Sequence, residues 1–119
     1  MVAYEVGATY TLNTKENDPV SFIKEKYPDG VDASFEVAGV KTTFDQAIAA
    51  TKPKGTVVVI AIHARNFEFN PIALMLSGVR LVASNGYSLE TFKESVNTLL
   101  NRDILLIQLL QKELYLMKY

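Results

Sequence analysis

The chain has no cysteine and a single histidine in 119 residues, which excludes disulfides, thiol catalysis and cysteine-ligated zinc within it. One histidine leaves no cluster from which a typical zinc site can be assembled, so metal chemistry would need ligands from elsewhere. A surplus of charge is missing too. Twelve basic residues balance thirteen acidic ones, so there is no electrostatic footprint for nucleic acid or an anionic membrane. No apolar run approaches the ~20 residues of a membrane-spanning helix. Met1-Val2-Ala3-Tyr4-Glu5 lacks the basic and apolar regions of a signal peptide. These absences lead to the expectation of a cytoplasmic protein with no nucleic-acid and no membrane partner.

What is present is a strong strand-helix-strand signal across residues 30–63. Residues 33–37 and 56–62 are apolar-rich runs of strand length, the second dominated by valine and isoleucine. Near-continuous apolarity predicts strands covered on both faces of a parallel sheet. Between them Phe44, Ala47, Ile48 and Thr51 recur at helical spacing, with Thr43 placed to cap the helix. Lys52-Pro53-Lys54-Gly55 supplies a basic last turn, a helix-stopping proline and a flexible glycine. The unit is a βαβ crossover, expected to be right-handed.

On either side the pattern continues. Residues 2–6 followed by Gly7 read as a last helical turn with a glycine stop, and residues 9–12 as a short β-prone run. Asp18-Pro19 opens a helix carrying Val20, Ile23 and Tyr27, which Pro28-Asp29-Gly30 ends as a turn. Asn70 caps and Pro71 starts a short helix through Leu76, and Arg80–Ala83 is a further strand. Ser88 opens a helix with Phe92, Val96, Leu99 and Leu100 on one face. Such alternation argues an α/β fold with a doubly wound, mainly parallel sheet of about four strands and flanking helices. Residues 56–62 are expected in the centre, between 33–37 and 80–83. The run at 9–12 either pairs with 33–37 or frays.

The central stretch also carries a resemblance. Phe35-Glu36-Val37-Ala38-Gly39, Thr43-Phe44-Asp45-Gln46-Ala47 and Pro53-Lys54-Gly55-Thr56-Val57-Val58-Val59 resemble the second half of the Rossmann cofactor domain of zinc-containing, medium-chain alcohol and polyol dehydrogenases. The pattern is nearest to the butanediol, threonine and sorbitol dehydrogenase branch. It extends upstream through Gly7-Ala8-Thr9 and downstream through Phe69-Asn70-Pro71 and Asn85-Gly86-Tyr87, covering residues 2–103. The ordered series carries the match, since no one motif in it is diagnostic. The resemblance implies a truncated nucleotide-binding domain over residues 1–103, with NAD or NADP as cofactor and zinc in the intact family.

Folds of this kind bind cofactor where loops leave the carboxyl ends of the strands. By resemblance Val37, Ala38 and Gly39 line the adenosine side. Ile60, Ala61, Ile62, Val82, Ala83 and Ser84 approach the nicotinamide through backbone and apolar contacts. The bare alternative is that Gly39 and Gly86 only permit tight strand exits. The glycine-rich G-x-G-x-x-G turn that cradles pyrophosphate is absent, as is the acid ~20 residues later that grips the ribose. No residue is nominated as catalytic acid, base or metal ligand. His63, just past a strand, can reach a cofactor or substrate, but the residues favour a solvated loop histidine. Glu36 reads as a lone acid that hydrogen-bonds nearby backbone amides rather than as a catalytic carboxylate. Phe67 and Phe69 mark either a subunit contact or packing under the loop.

After Asp103 the likeness stops. One choice of codons for residues 109–114, read from the third base, encodes Ile-Thr-Lys-Arg-Ile, the kind of segment the family carries there. The expectation is a frameshifted tail over 104–119, with an ordinary amphipathic helix as the alternative. Two functional readings follow. The first is a fragment of a nicotinamide-dependent alcohol or polyol dehydrogenase, inactive alone. The second is a non-catalytic interaction or oligomerisation module using exposed sheet edges, and both lead to a homo-oligomer.

Overall fold

The computed structural model describes residues 2–101, which fall into two compact units: residues 13–85, and the remainder formed by 2–12 with 86–101. In the larger unit, α2 (Pro19–Lys26), β1 (Val31–Glu36), α3 (Lys41–Ala50), β2 (Thr51–Val59), α4 (Pro71–Ser77) and β3 (Arg80–Ala83) follow one another. The smaller unit holds α1 (Val2–Glu5) and α5 (Leu89–Leu100). The tail over 104–119 lies outside the described residues.

The sheet has the order β1-β2-β3 and is parallel throughout. The central strand is therefore the one expected. Among the described residues three strands stand where about four were expected, because residues 9–12 form no strand. β-prone side chains do not make a strand without a neighbour to take the backbone hydrogen bonds. Pairing in β2 starts with Val31 opposite Thr51 and resumes with Ala33 opposite Thr56, so Lys52-Pro53-Lys54 bulge out of the ladder. Lys52 pairs with Asp32 instead of ending the helix as a basic last turn. Gly55 brings the chain back where a side chain has no room: a Cβ would lie 2.6 Å from Thr51 Cγ2 and 2.9 Å from the Asp32 carbonyl oxygen.

Local caps set the helix starts. Asp18, Asn70 and Ser88 each accept a backbone N–H of the first turn, with Pro19 and Pro71 at the first helical position of α2 and α4. α3 departs from expectation, since it begins at Lys41 after Val40, with no side-chain cap, and Thr43 lies inside its first turn.

Ridge and sheet meet through Phe44, Ala50, Thr51 and Val57, all buried. Ser34, beneath α3, donates to the Ala47 carbonyl at 3.1 Å and lies 2.8 Å from the Thr51 hydroxyl. Strand alternation puts Ser34 and Glu36 with Val57 and Val59 on this face, and Phe35, Val58 and Val82 on the other. The expectation that both faces are covered fails: Phe35 is 64% and Val82 43% exposed. The two crossover helices, α3 and α4, touch each other, so both lie toward one face of the sheet, and Phe35 and Val82 on the other face stay exposed.

Candidate functional site

At the carboxyl edge of the sheet, three strand exits are stitched together by backbone hydrogen bonds. The Glu36 carbonyl accepts from Ile60 N–H at 3.0 Å and Ala61 N–H at 3.2 Å, and the Val59 carbonyl accepts from Ser84 N–H at 3.0 Å. The expected groups Val37, Ala38, Gly39; Ile60, Ala61, Ile62; and Val82, Ala83, Ser84 are therefore brought to one edge. Val37, Ile60, Ile62 and Val82 all present exposed apolar surface there.

Gly39 has a specific reason to be glycine. Its φ is 73°, and a Cβ would stand 2.8 Å from the Ile62 carbonyl oxygen, so the first two exits touch through this residue. Gly86 also has a positive φ, but open space surrounds it. A Gly39→Ala substitution is expected to cost about 2 kcal/mol, combining left-handed backbone strain with displacement of the 60–62 exit. Urea unfolding checks it, and an unchanged midpoint would remove the close approach from the account.

Under this edge sits Glu36, 2% exposed. One carboxylate oxygen accepts from Ala38 N–H at 3.0 Å, Gly39 N–H at 2.9 Å and the Thr43 hydroxyl at 2.6 Å. The expected backbone-amide role of this acid is what the structure shows, and Thr43 serves the carboxylate instead of capping α3. The other oxygen faces His63 Nε2 at 3.0 Å, an ion-pair approach whose alignment falls short of a hydrogen bond. Burial is the largest single influence on this carboxyl and pushes its pKa up. The Thr43 hydroxyl, the Gly39 and Ala38 amides and His63 together outweigh burial and hold the pKa below its ordinary value.

His63 is not the solvated loop residue expected: its side chain is 18% exposed. The ring packs against Phe67 at 5.2 Å between centroids and edge-on to Phe44 at 6.3 Å. Phe67 and Phe69 both meet Phe44, at 5.2 and 5.9 Å, so they pack under the loop. The Glu36–His63 approach spans 27 positions of chain and had no local signal beyond an acid inside an apolar strand.

A cleft of about 400 Å³ opens beside this edge, lined by Gly39, Val40, Lys41 and residues 64–67. A second, of about 440 Å³, lies along α3 and α4 and holds none of the nine strand-exit residues. Among the described residues no group of three or more His, Cys, Asp or Glu side chains could hold a metal ion, and no helix is long and apolar enough to cross a membrane.

The family model described as zinc-binding dehydrogenase matches residues 2–101. The chain belongs to the zinc-binding dehydrogenase family. It is 33% identical over 85 residues to (R,R)-butanediol dehydrogenase of Bacillus subtilis (strain 168), an alignment covering 71% of this chain and 25% of that protein. Against the crystal structure of 2R,3R-butanediol dehydrogenase from Bacillus subtilis the TM-score is 0.74 at 28% identity, covering 89% of this chain and 30% of that one. A zinc-binding dehydrogenase from Sinorhizobium meliloti 1021, solved bound to NADP, is 30% identical with a TM-score of 0.57, over 70% of this chain and 26% of its own. The zinc-binding dehydrogenase chain thus spans about a quarter of the length of the relatives it matches, and its sheet is part of a Rossmann-like dehydrogenase fold.

Proposed function

We propose that this chain supplies the second half of a nicotinamide-cofactor domain from an alcohol or polyol dehydrogenase, with residues 1–103 as that partial domain. The observation that carries the reading is the convergence of three parallel-strand exits at one edge, where such folds take dinucleotides. Val37, Ala38 and Gly39 would line the adenosine side. Ile60, Ala61, Ile62, Val82, Ala83 and Ser84 would approach the nicotinamide ring. The butanediol dehydrogenase relatives and the NADP-bound relative support the substrate class and the cofactor. The cofactor is NAD or NADP, and the acid that selects between them in such folds is not among these residues.

The residues present do not fit the family's zinc. With no cysteine, one histidine and no ligand cluster among the described residues, no step is assigned through a metal. Without a pyrophosphate cradle, cofactor contact rests on strand exits alone. Calorimetric titration with NAD and NADP is expected to show binding no tighter than millimolar, ~4 kcal/mol, and no alcohol oxidation. Micromolar binding of either cofactor would defeat the partial-domain reading.

A second reading, an interaction module, is favoured by one observation: the sheet face bearing Phe35 and Val82 is exposed, and β1 and β3 are both edges among the described residues. Apolar edges and faces of this kind associate. Light scattering is expected to find a homo-oligomer, and a stable monomer at high concentration would count against it.

A further inference from the structure

Glu36 joins both neighbouring exits. Its backbone carbonyl holds Ile60 and Ala61, while one side-chain oxygen holds Ala38, Gly39 and Thr43. The remaining oxygen is buried, has no hydrogen bond among the described residues, and faces His63 Nε2 at 3.0 Å. His63 belongs to the loop that follows the 60–62 exit. Its ring is held against Phe44 of α3 and Phe67 of its own loop.

A carboxylate so placed has one satisfied oxygen and one that, among the described residues, faces an imidazole. The charge state of that imidazole therefore changes the electrostatic field on the same carboxylate that anchors the Ala38 and Gly39 amides. From β1 the titratable group facing the ring is Glu36. α3 presents the Phe44 ring and the Thr43 hydroxyl, and its charged pair, Lys41 and Asp45, is closed on itself. The loop presents Phe67, and its Arg65 and Glu68 are exposed.

We propose that His63 is a positioning residue that fixes the spacing between the Val37–Gly39 and Ile60–Ile62 exits by locking onto the free oxygen of Glu36. The role rests on the cofactor-domain reading for its purpose but not for its test. The ring acts through the Glu36 carboxylate, so it is assigned no catalytic part.

Two-dimensional ¹H–¹⁵N spectra of the full chain recorded as a function of pH test it. The expected result is that the Ala38 and Gly39 amides shift with the same midpoint as the His63 ring protons. In His63→Phe, which keeps an aromatic ring between Phe44 and Phe67 but removes both nitrogens, exchange of the Ala38, Gly39 and Ala61 amides is expected to accelerate about tenfold relative to β3 amides. Flat Ala38 and Gly39 resonances through the ring's titration would overturn the proposal even if the variant fails to fold, as would unchanged relative exchange in a folded variant. Adding NAD to the same samples separates the two ideas. With NAD well above its expected millimolar dissociation constant, coupled titration and no NAD-induced shift at Val37 or Ile62 support the positioning role and count against cofactor contact at the strand exits.

Discussion

Replacing Glu36 with alanine is expected to destabilise the chain by about 3 kcal/mol, because three donors lose their acceptor at once. Ala38 N–H, Gly39 N–H and the Thr43 hydroxyl all converge on one carboxylate oxygen. Each donor left unpaired costs about 1 kcal/mol or more. The removed side chain also leaves space under α3, beside a histidine that would lose its facing oxygen. Glu36→Gln should cost clearly less, since one amide oxygen can still accept all three bonds. Urea unfolding of both variants makes the comparison. Equal losses would show that the negative charge of the carboxylate matters, and that neither its volume nor a neutral acceptor replaces it.

The same carboxylate gives stability a pH dependence with a definite sign. Its folded pKa lies below the ordinary value, so the unfolded chain binds the proton more readily. The stabilisation is present above the unfolded carboxylate pKa of ~4.3 and is lost as pH falls through the lower folded value. The acid limb of the wild-type stability curve should accordingly be steeper than that of Glu36→Ala. Parallel curves would mean that the depressed pKa makes no contribution to folding.

What could be read from the sequence was what local chemistry decides. Asp18-Pro19, Asn70-Pro71 and Ser88 each announce a helix start through a side chain that reaches only two or three residues along, and Arg80–Ala83 was bounded correctly by its β-branched and apolar run. The central position of β2 followed from the strand order of doubly wound dinucleotide sheets. Features decided by distant partners could not be read. Thr43 read as a cap, and its role as carboxylate partner depends on Glu36 lying across the βα turn. β2 ends at Val59 and not at Ile62 because the Ile60 and Ala61 amides turn to the Glu36 carbonyl. His63 looked solvated because nothing within its own loop shows that a buried carboxylate waits 27 positions earlier. The nine strand-exit residues were named by family resemblance, and they meet at one edge because parallel strands share a carboxyl end.

Gly30→Ala is expected to have the largest effect of any single methyl addition in the chain, about 3 kcal/mol or more, enough to unfold a marginal domain. Gly30 sits between the Pro28-Asp29 turn and β1 with φ at 98°. A Cβ there would lie 2.6 Å from the Ala50 carbonyl oxygen, 2.8 Å from the Lys52 amide nitrogen and 3.0 Å from the Thr51 carbonyl carbon. All three are backbone atoms at the junction where α3 ends and β2 begins, so no side-chain rotation can relieve the contact. The first ladder pair, Val31 with Thr51, is adjacent, and relief would have to come from opening that end of the sheet. Gly78→Ala is the matching control. Its φ is also positive, at 65°, but the nearest atom to an added Cβ is the Pro53 side chain at 3.5 Å, so it should cost only the left-handed backbone penalty of about 1 kcal/mol. Circular dichroism during urea unfolding reads both. If the two variants lose the same stability, backbone strain alone explains Gly30, and the close approach of the α3–β2 junction to the start of β1 is not what requires glycine there.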